Sequence, residues 1–160
     1  LSLALNQDPF GPIYDGMIRL NKLTDYAIAI LAQMAKDPMV RLSSSQLAAT
    51  TGVPEMTVAK ILKSLNVAQL VGATRGAMGG YRLERDAADI SIRAIIEALD
   101  GPIAITDCVG GSHGCCTAES KCPVRGRWDK VNDAIIGALD SVMLNDMIAP
   151  IAPQKLYGIK

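Results

Sequence analysis

All four cysteines of the chain lie within residues 105–128, ITDCVGGSHGCCTAESKCPVRGRW. They are Cys108, Cys115, Cys116 and Cys122, and the only histidine, His113, lies among them. We call residues 108–122 the cysteine segment. Glycines around the first three cysteines predict a loop rather than a buried helix face. Thiols clustered in a loop can bind a metal or be oxidised, so the sequence predicts a metal or redox site here.

Three kinds of chemistry are open to these thiols. An iron–sulfur cluster is held by thiolates and needs four protein ligands, so three cysteines require one further ligand of another type. Zinc also accepts three cysteines and a fourth ligand, although the sequence lacks the two-residue cysteine knuckles typical of zinc sites. A reversible disulfide is the third possibility, but the neighbours Cys115 and Cys116 rarely pair with each other because that ring is strained.

The composition fits one domain of 160 residues and favours helices, being 49% hydrophobic and only 4% aromatic. No apolar run reaches membrane-spanning length, so no membrane partner is expected. The formal net charge is zero, but residues 53–82 carry four basic side chains and one acidic one. Residues 100–146 carry seven acidic and four basic ones. The basic half suits a nucleic-acid partner.

Residues 1–16 lack the basic start and the cleavage site of a secretory signal peptide, and Met17 resembles a natural start. We therefore expect residues 1–16 to be an upstream extension or a cloning remnant, and the protein to be cytoplasmic. In a reducing compartment, clustered cysteines more often bind metal or do redox work than form structural disulfides.

Residues 24–65 predict three helices. Ser43 and Gln46 form a capping-box pattern at the start of the second helix, Gly52 ends it, and Pro54 opens the third. This is the outline of a helix-turn-helix, although an ordinary helical hairpin with a solvated face gives the same pattern. The predicted apolar, core-facing residues are Ala27, Ile30, Leu31 and Met34 in the first helix, Leu47 and Ala48 in the second, and Val58, Ile61, Leu62 and Leu65 in the third.

Residues 70–83, LVGATRGAMGGYRL, predict two short strands around a glycine-rich hairpin, as in the wing of a winged helix. Arg75 is expected at the hairpin tip, where an exposed arginine suits a narrow minor groove. A phosphate-binding loop is excluded because no lysine and hydroxyl follow the glycines. Ser91 is expected to cap a helix that Gly101 and Pro102 end.

Residues 125–147 predict one long helix of roughly 35 Å, with an apolar seam at helical spacing. We expect a second copy of the chain to cover that seam; the alternative is that the helix packs wholly on its own domain. The tail after residue 148 is expected to be irregular. The seam residues are Trp128, Val131, Ile135, Leu139 and Val142.

The motifs RLNKLTDYA, RGAMGGYRL, SIRAIIEALDG and CPVRGRW, with the helix-turn-helix, together resemble the Rrf-two family of bacterial transcription regulators. The resemblance runs from about Met17 to Met147 and is greatest to the branch that regulates SUF iron–sulfur assembly genes. It implies a mainly α fold: a winged helix-turn-helix domain (17–101), a cysteine-rich cluster-binding loop (102–124) and a dimerisation helix (125–148), followed by an irregular tail (149–160). The implied partners are a palindromic operator in double-stranded DNA and a second copy of the chain.

The resemblance also implies the ligands of an iron–sulfur cluster, with [2Fe–2S] favoured over [4Fe–4S]. The family has three cysteines, the last two separated by five residues, which fits Cys108, Cys116 and Cys122, with Cys115 as an alternate to Cys116. IscR-type members have a histidine three residues after the last cysteine, where this chain has Arg125, which stays protonated and cannot ligate. NsrR-type members use an aspartate from the partner subunit, at the place of Asp25, with His113 as its rival here.

For DNA, the resemblance places Met56, Thr57 and Lys60 at base edges. Ala59 and Lys60 stand where IscR-type members have a Glu-Gln pair, so the operator is expected to differ. The remaining implied contacts are Ser43, Ser44 and Lys63 with phosphates, Arg75 with the minor groove, and Arg19, Lys22 and Tyr81 elsewhere on the DNA.

An enzyme is not expected, and neither is a small-molecule substrate. The sequence shows no Ser–His–Asp set, no paired catalytic carboxylates and no phosphate cradle, and a single histidine leaves little acid–base capacity. The alternative function is a family member that regulates DNA binding without a cluster, through a partner protein, a metabolite or thiol oxidation.

Overall fold

The computed structural model of the chain describes residues 20–76, 78–106, 109 and 121–149. The extension at 1–16, the tail after 149 and most of the cysteine segment lie outside these ranges. So do five of the proposed site residues, namely Arg19, Cys108, His113, Cys115 and Cys116.

Six α-helices and one hairpin make up the described chain, in an order that agrees with a winged helix-turn-helix. A short 3-10 turn, Ala87–Asp89, precedes the fourth helix. No helix in the described part of the chain is long and apolar enough to cross a membrane. The elements are α1 (Lys22–Ala35), α2 (Ser44–Thr51), α3 (Glu55–Val67), β1 (Val71–Thr74), β2 (Gly80–Leu83), α4 (Ile92–Asp100), α5 (Trp128–Asp140) and α6 (Leu144–Ile148).

Helices α1 to α4 and the hairpin enclose a single core of aliphatic side chains. Helical spacing predicted its members, and nine of the ten residues listed for α1, α2 and α3 are buried, while Ala48 is partly buried and packs against the core. In α4, Ile92, Ile95 and Ile96 are buried and Leu99 packs against the core from its edge. Helix α4 contacts α1, α3 and α5.

Both ends of α2 and the start of α3 have the predicted chemistry. The Ser43 hydroxyl accepts from the backbone N–H of Gln46 at 3.2 Å, and the Gln46 side chain accepts from the backbone N–H of Ser43 at 2.8 Å. Gly52 ends α2 with φ +73°, a left-handed conformation that glycine adopts without a Cβ clash. Pro54 lies just before the first residue of α3.

The predicted wing is also present. Strands β1 and β2 pair antiparallel, with Val71 opposite Leu83 and Thr74 opposite Gly80. Tyr81 forms an isolated antiparallel bridge with Leu42, so the chain just before α2 pairs with the outer side of β2.

The prediction of a single long helix over residues 125–147 is wrong. Helix α5 ends at Asp140 after 13 residues, about 20 Å, and the five-residue α6 follows. Between them the chain pairs with the segment before α4: the Val142 carbonyl accepts from Ile92 N–H at 2.9 Å, and Leu144 N–H donates to the Ile90 carbonyl at 2.8 Å. This pairing buries Leu144 completely, which compensates for the interrupted helix.

Candidate nucleic-acid interface and cysteine segment

Helix α3 presents a polar and basic face to solvent, because its apolar residues at spacings of three and four all turn inward. Met56 is 84% exposed, and Lys60 and Lys63 are exposed one and two turns further along the helix. Thr57 is half-buried between them. The face has the mixture of small, flexible and cationic side chains that can contact base edges and phosphates.

The start of α2 lies beside the start of α3, because the Ser44 hydroxyl donates to Glu55 Oε1 at 3.3 Å. The Ser43 hydroxyl is engaged in the helix cap and also lies 2.9 Å from the Ser45 hydroxyl. Of the three serines, Ser45 is the exposed one. Sequence reasoning named Ser43 and Ser44 and missed Ser45, whose only signal was its place in the run SSS.

The wing is attached to the same region by two contacts. Leu42 and Tyr81 exchange backbone hydrogen bonds of 2.9 Å in each direction, and the Tyr81 ring, proposed as a DNA contact, is half-buried against the core. Arg41 donates through Nη1 to the Thr74 hydroxyl at the end of β1. Sequence reasoning missed Arg41, because its partner is 33 residues away.

The tip of the wing is solvent-exposed and carries Arg75, as predicted. Glycine is required behind it: a Cβ on Gly79 would collide with the Thr74 carbonyl, and one on Gly80 would lie 3.0 Å from the Leu42 carbonyl. Met78, beside them, is 90% exposed. The open groove between wing and α2 has a volume of about 820 Å³ and is lined by Met39, Val40, Arg41, Ser43, Ser45, Gln46, Met78 and Gly79.

The first turn of α1 contains the proposed carboxylate ligand. Asp25 is exposed there. Its neighbour Thr24 is buried and donates to Asp100 Oδ2 at 2.8 Å, and the Asn21 amide donates to Asp100 Oδ1 at 3.1 Å. This turn is therefore joined to the end of α4, from which the chain continues toward the cysteine segment. Lys22, a proposed DNA contact, is exposed, with its ammonium 5.4 Å from the centre of the Tyr26 ring.

Of the proposed thiolate ligands, the structure describes Cys122, a half-buried free thiol six residues before α5. The other proposed ligands in this segment, Cys108, His113, Cys115 and Cys116, lie outside the described residues, and Asp25 is proposed to come from the partner subunit. Among residues 20–76, 78–106, 109 and 121–149, no three His, Cys, Asp or Glu side chains are placed to hold a metal ion. Val109, inside the segment, is 1% exposed.

The predicted dimer seam is only partly exposed. Trp128 and Val131 are 40% and 44% exposed, and with Val124 and Arg127 they line an apolar groove of about 210 Å³. Ile135 and Leu139 are half-buried, and Leu139 packs against the domain's own core. Val142 lies beyond the end of α5. The exposed seam residues are thus Trp128 and Val131 in the first turn of α5, and Val142, which is 37% exposed.

Comparisons with known proteins agree with this architecture. Residues 20–150 match the model of the Rrf2 family, described as an iron-dependent transcriptional regulator. An rrf2-like HTH-type transcriptional regulator of Rhodobacter capsulatus is 32% identical over 132 residues, covering 78% of this chain and 88% of the relative. The HTH-type transcriptional repressor NsrR of Streptomyces coelicolor is 28% identical, covering 89% and 96%.

A solved structure gives the same result at the level of the fold. The structure of CymR, the global cysteine regulator of B. subtilis, superimposes with a TM-score of 0.63 at 28% identity, covering 82% of this chain and 97% of CymR. The helix-turn-helix, the wing and these matches lead to one conclusion. The chain belongs to the Rrf2 family of DNA-binding transcription regulators and is not an enzyme.

Proposed function

We propose that this protein is a homodimeric regulator that binds palindromic operators in double-stranded DNA, with α3 in the major groove and the wing along the minor groove. The observation that carries this proposal is the joined surface of α3, α2 and the wing. Ser44 connects the two helix starts, and the Leu42–Tyr81 bridge and the Arg41–Thr74 bond attach the hairpin beside them. Because these elements are fixed relative to one another, α3 and the wing can contact the DNA grooves while the start of α2 contacts the phosphate backbone.

Within that surface the proposed roles follow exposure and position. Met56, Thr57 and Lys60 contact base edges from the first two turns of α3. Arg75 enters the minor groove from the wing tip, where its charge is attracted to the concentrated negative potential. Ser43, Ser44 and Lys63 contact phosphates, and Arg19, Lys22 and Tyr81 contribute further contacts that the family resemblance implies.

The proposed dimer uses the exposed apolar surface at the start of α5. Trp128 and Val131 are 40% and 44% exposed there, and a second copy related by a two-fold axis would bury the exposed part. Two-fold symmetry of the protein then matches the palindromic symmetry of the operator, with two α3 helices about one DNA turn apart.

We further propose that an iron–sulfur cluster controls DNA binding, with Cys108, Cys116, Cys122 and Asp25 of the partner subunit as ligands and [2Fe–2S] as the favoured type. The donor set fits such a cluster: thiolates are its usual ligands, and a carboxylate can replace one of them at a site open to oxidants. In the described residues, Cys122 is a free thiol near the chain surface and Asp25 is exposed, so both are accessible to a shared group. Cys115 and His113 remain the alternate ligands.

When bound, the cluster would cross-link the residues that ligate it. Oxidants or nitric oxide can destroy the cluster and so remove this cross-link. Asp25 lies in the first turn of α1, and Thr24 and Asn21 hold that turn to the end of α4. A ligand shared between subunits therefore ties the cysteine segment of one to the DNA-binding domain of the other, and sets the distance between the two α3 helices. The proposed targets are genes of iron–sulfur assembly or iron homeostasis, and the place of action is the cytoplasm, where the DNA is.

The test is anaerobic purification followed by iron and sulfide analysis and DNA binding measured by fluorescence anisotropy, with and without the chromophore. We expect coloured protein with near-stoichiometric iron and sulfide and a changed operator affinity on cluster loss. Zinc without sulfide would exclude the cluster in favour of a zinc site. Colourless protein after reconstitution, with all four cysteines reduced, would exclude cluster control.

A second candidate is a regulator that works without a cluster. The likeness to CymR, described as a cysteine regulator, favours it. A matched pair decides between the two: wild type and the triple variant Cys108→Ala, Cys116→Ala, Cys122→Ala should repress alike in iron-sufficient cells if no cluster is used. If a cluster is used, they should differ in iron-sufficient cells and become alike under iron starvation, when wild type also lacks the cluster.

A further inference from the structure

The one buried residue of α5, a helix described in full, is an asparagine. Asn132 is 4% exposed, although the adjacent Val131 is 44% exposed. Burying a side-chain amide is unfavourable unless both its oxygen and its nitrogen are hydrogen-bonded. Neither the DNA-binding surface nor the proposed ligand set uses this residue, so its bonds need another explanation.

Both polar atoms of Asn132 bond to one stretch of backbone. Its Oδ1 accepts from the N–H of Ile105 at 3.1 Å, and its Nδ2 donates to the carbonyl of Ile103 at 3.2 Å. An amide that meets one donor and one acceptor has a single satisfactory orientation. Asn132 thus pairs with residues 103–105 as a neighbouring strand would, and fixes them against α5.

These bonds join the two flanks of the cysteine segment. Ile105 lies three residues before Cys108, and Asn132 lies ten residues after Cys122. All four cysteines are therefore contained in the 26 residues between Ile105 and Asn132, the loop that this bond closes. The two bonds of the Asn132 amide therefore connect the chain just before Cys108 to the first half of α5.

The other end of α5 is fixed to the start of α4. Asp140 accepts from the Ser91 hydroxyl at 3.0 Å and lies 4.0 Å from the Arg93 guanidinium. Asn132 and Asp140 are eight residues apart, about 12 Å along a helix, and α4 has almost the same length. Helix α5 is thus held by polar groups next to both ends of α4.

We propose that Asn132 is a positioning residue that transmits the state of the cysteine segment to α5. A change at the thiols, by cluster binding or loss, alters residues 103–105, and the amide passes that change to α5 and, through Asp140, to α4. The inference deepens the proposed function and rests on it for its regulatory consequence. The hydrogen bonds from Asn132 to residues 103 and 105 do not themselves require a cluster.

The first test therefore uses reduced, metal-free, full-length protein and hydrogen–deuterium exchange. Asn132→Leu keeps a similar volume but removes both bonds. We expect exchange in peptides spanning 103–106 to rise about tenfold while peptides of α1 and α3 stay unchanged. Asn145→Leu, at an exposed asparagine of α6, is the matched control and should leave 103–106 unchanged. Unchanged exchange at 103–106, or faster exchange throughout, overturns the inference.

The second test measures coupling in the cluster-loaded protein. In Asn132→Leu, we expect the ratio of operator affinities between loaded and cluster-free protein to approach one, while the cluster-free affinity stays within about twofold of wild type. An unchanged ratio overturns transmission through Asn132. If wild type holds no cluster, the proposed function fails, and the exchange experiment still decides whether Asn132 holds the segment. The two failures are therefore distinguishable.

Discussion

Lys60 and Lys63 lie on the exposed side of α3, three residues or about 4.5 Å apart along its axis, yet we assign them different partners. Lys60→Ala should remove a base-edge contact, which costs about 1–3 kcal/mol, or roughly 5- to 150-fold in affinity, for each half-site. Lys63→Ala should remove a phosphate contact. It then lowers the slope of log affinity against log salt by about 0.9 per subunit, or about 1.8 for a dimer.

The assay is fluorescence anisotropy on two duplexes, the operator and a scrambled sequence of equal length, at several salt concentrations. Lys60→Ala should weaken operator binding much more than scrambled binding, because only the operator offers the correct base. Lys63→Ala should weaken both by similar factors. Lys130→Ala, at an exposed lysine of α5 outside the DNA-binding surface, is the charge-matched control.

Two outcomes refute this assignment. If Lys60→Ala weakens both duplexes equally, Lys60 contacts the backbone and reads no base. If Lys63→Ala leaves the salt slope unchanged, α3 does not approach the phosphates along its third turn, and its proposed docking in the major groove is incorrect.

Three further predictions concern the wing, the helix cap and the dimer. Arg75→Ala should abolish the preference for A·T-rich flanks, whereas Arg85→Ala, exposed beyond the hairpin, should keep it; equal flank preference in both variants contradicts the wing assignment. Ser43→Ala should lower the free energy of unfolding in urea by about 1 kcal/mol through the lost cap, and Ser45→Ala by clearly less. Trp128→Ala should weaken dimerisation by about 2–4 kcal/mol in sedimentation without lowering monomer stability, and an unaffected dimer would exclude this surface.

Local patterns predicted the DNA-binding domain well because its signals are short-range. The cap of Ser43 and Gln46 spans three residues, and the buried stripe of α3 repeats every three or four. These features need no knowledge of distant partners, so the sequence alone located the helices, the turn at Gly52 and the wing.

The features that the sequence did not predict depend on contacts between distant parts of the chain. Helix α5 ends early because Val142 and Leu144 pair with residues some 50 positions earlier in the chain, which no periodicity in 125–147 reveals. Asn132 looks like an ordinary polar residue between seam positions, and its burial depends on residues 103–105. Arg41 is similarly explained only by Thr74. Non-local hydrogen bonds decided each of these positions.

Helices α3 and α5 both pack on α4, but through different kinds of contact. This difference predicts which of the two helices can move when the protein is regulated. Helix α3 packs on α4 through fully buried aliphatic side chains, so a relative shift there would open cavities in the core. Helix α5 is held by Asn132, by exposed groups around Asp140 and by the half-buried Leu139, and it can shift at lower cost.

Each DNA-binding domain should therefore stay rigid while the two domains change their separation. Loaded and cluster-free protein should then share the same base preferences within a half-site and differ in the half-site spacing they tolerate. A library of operators that varies spacing and sequence independently measures this. If base preference changes with the cluster while the preferred spacing stays constant, the signal reaches α3 itself, and the rigidity inferred from the packing of α3 on α4 is refuted.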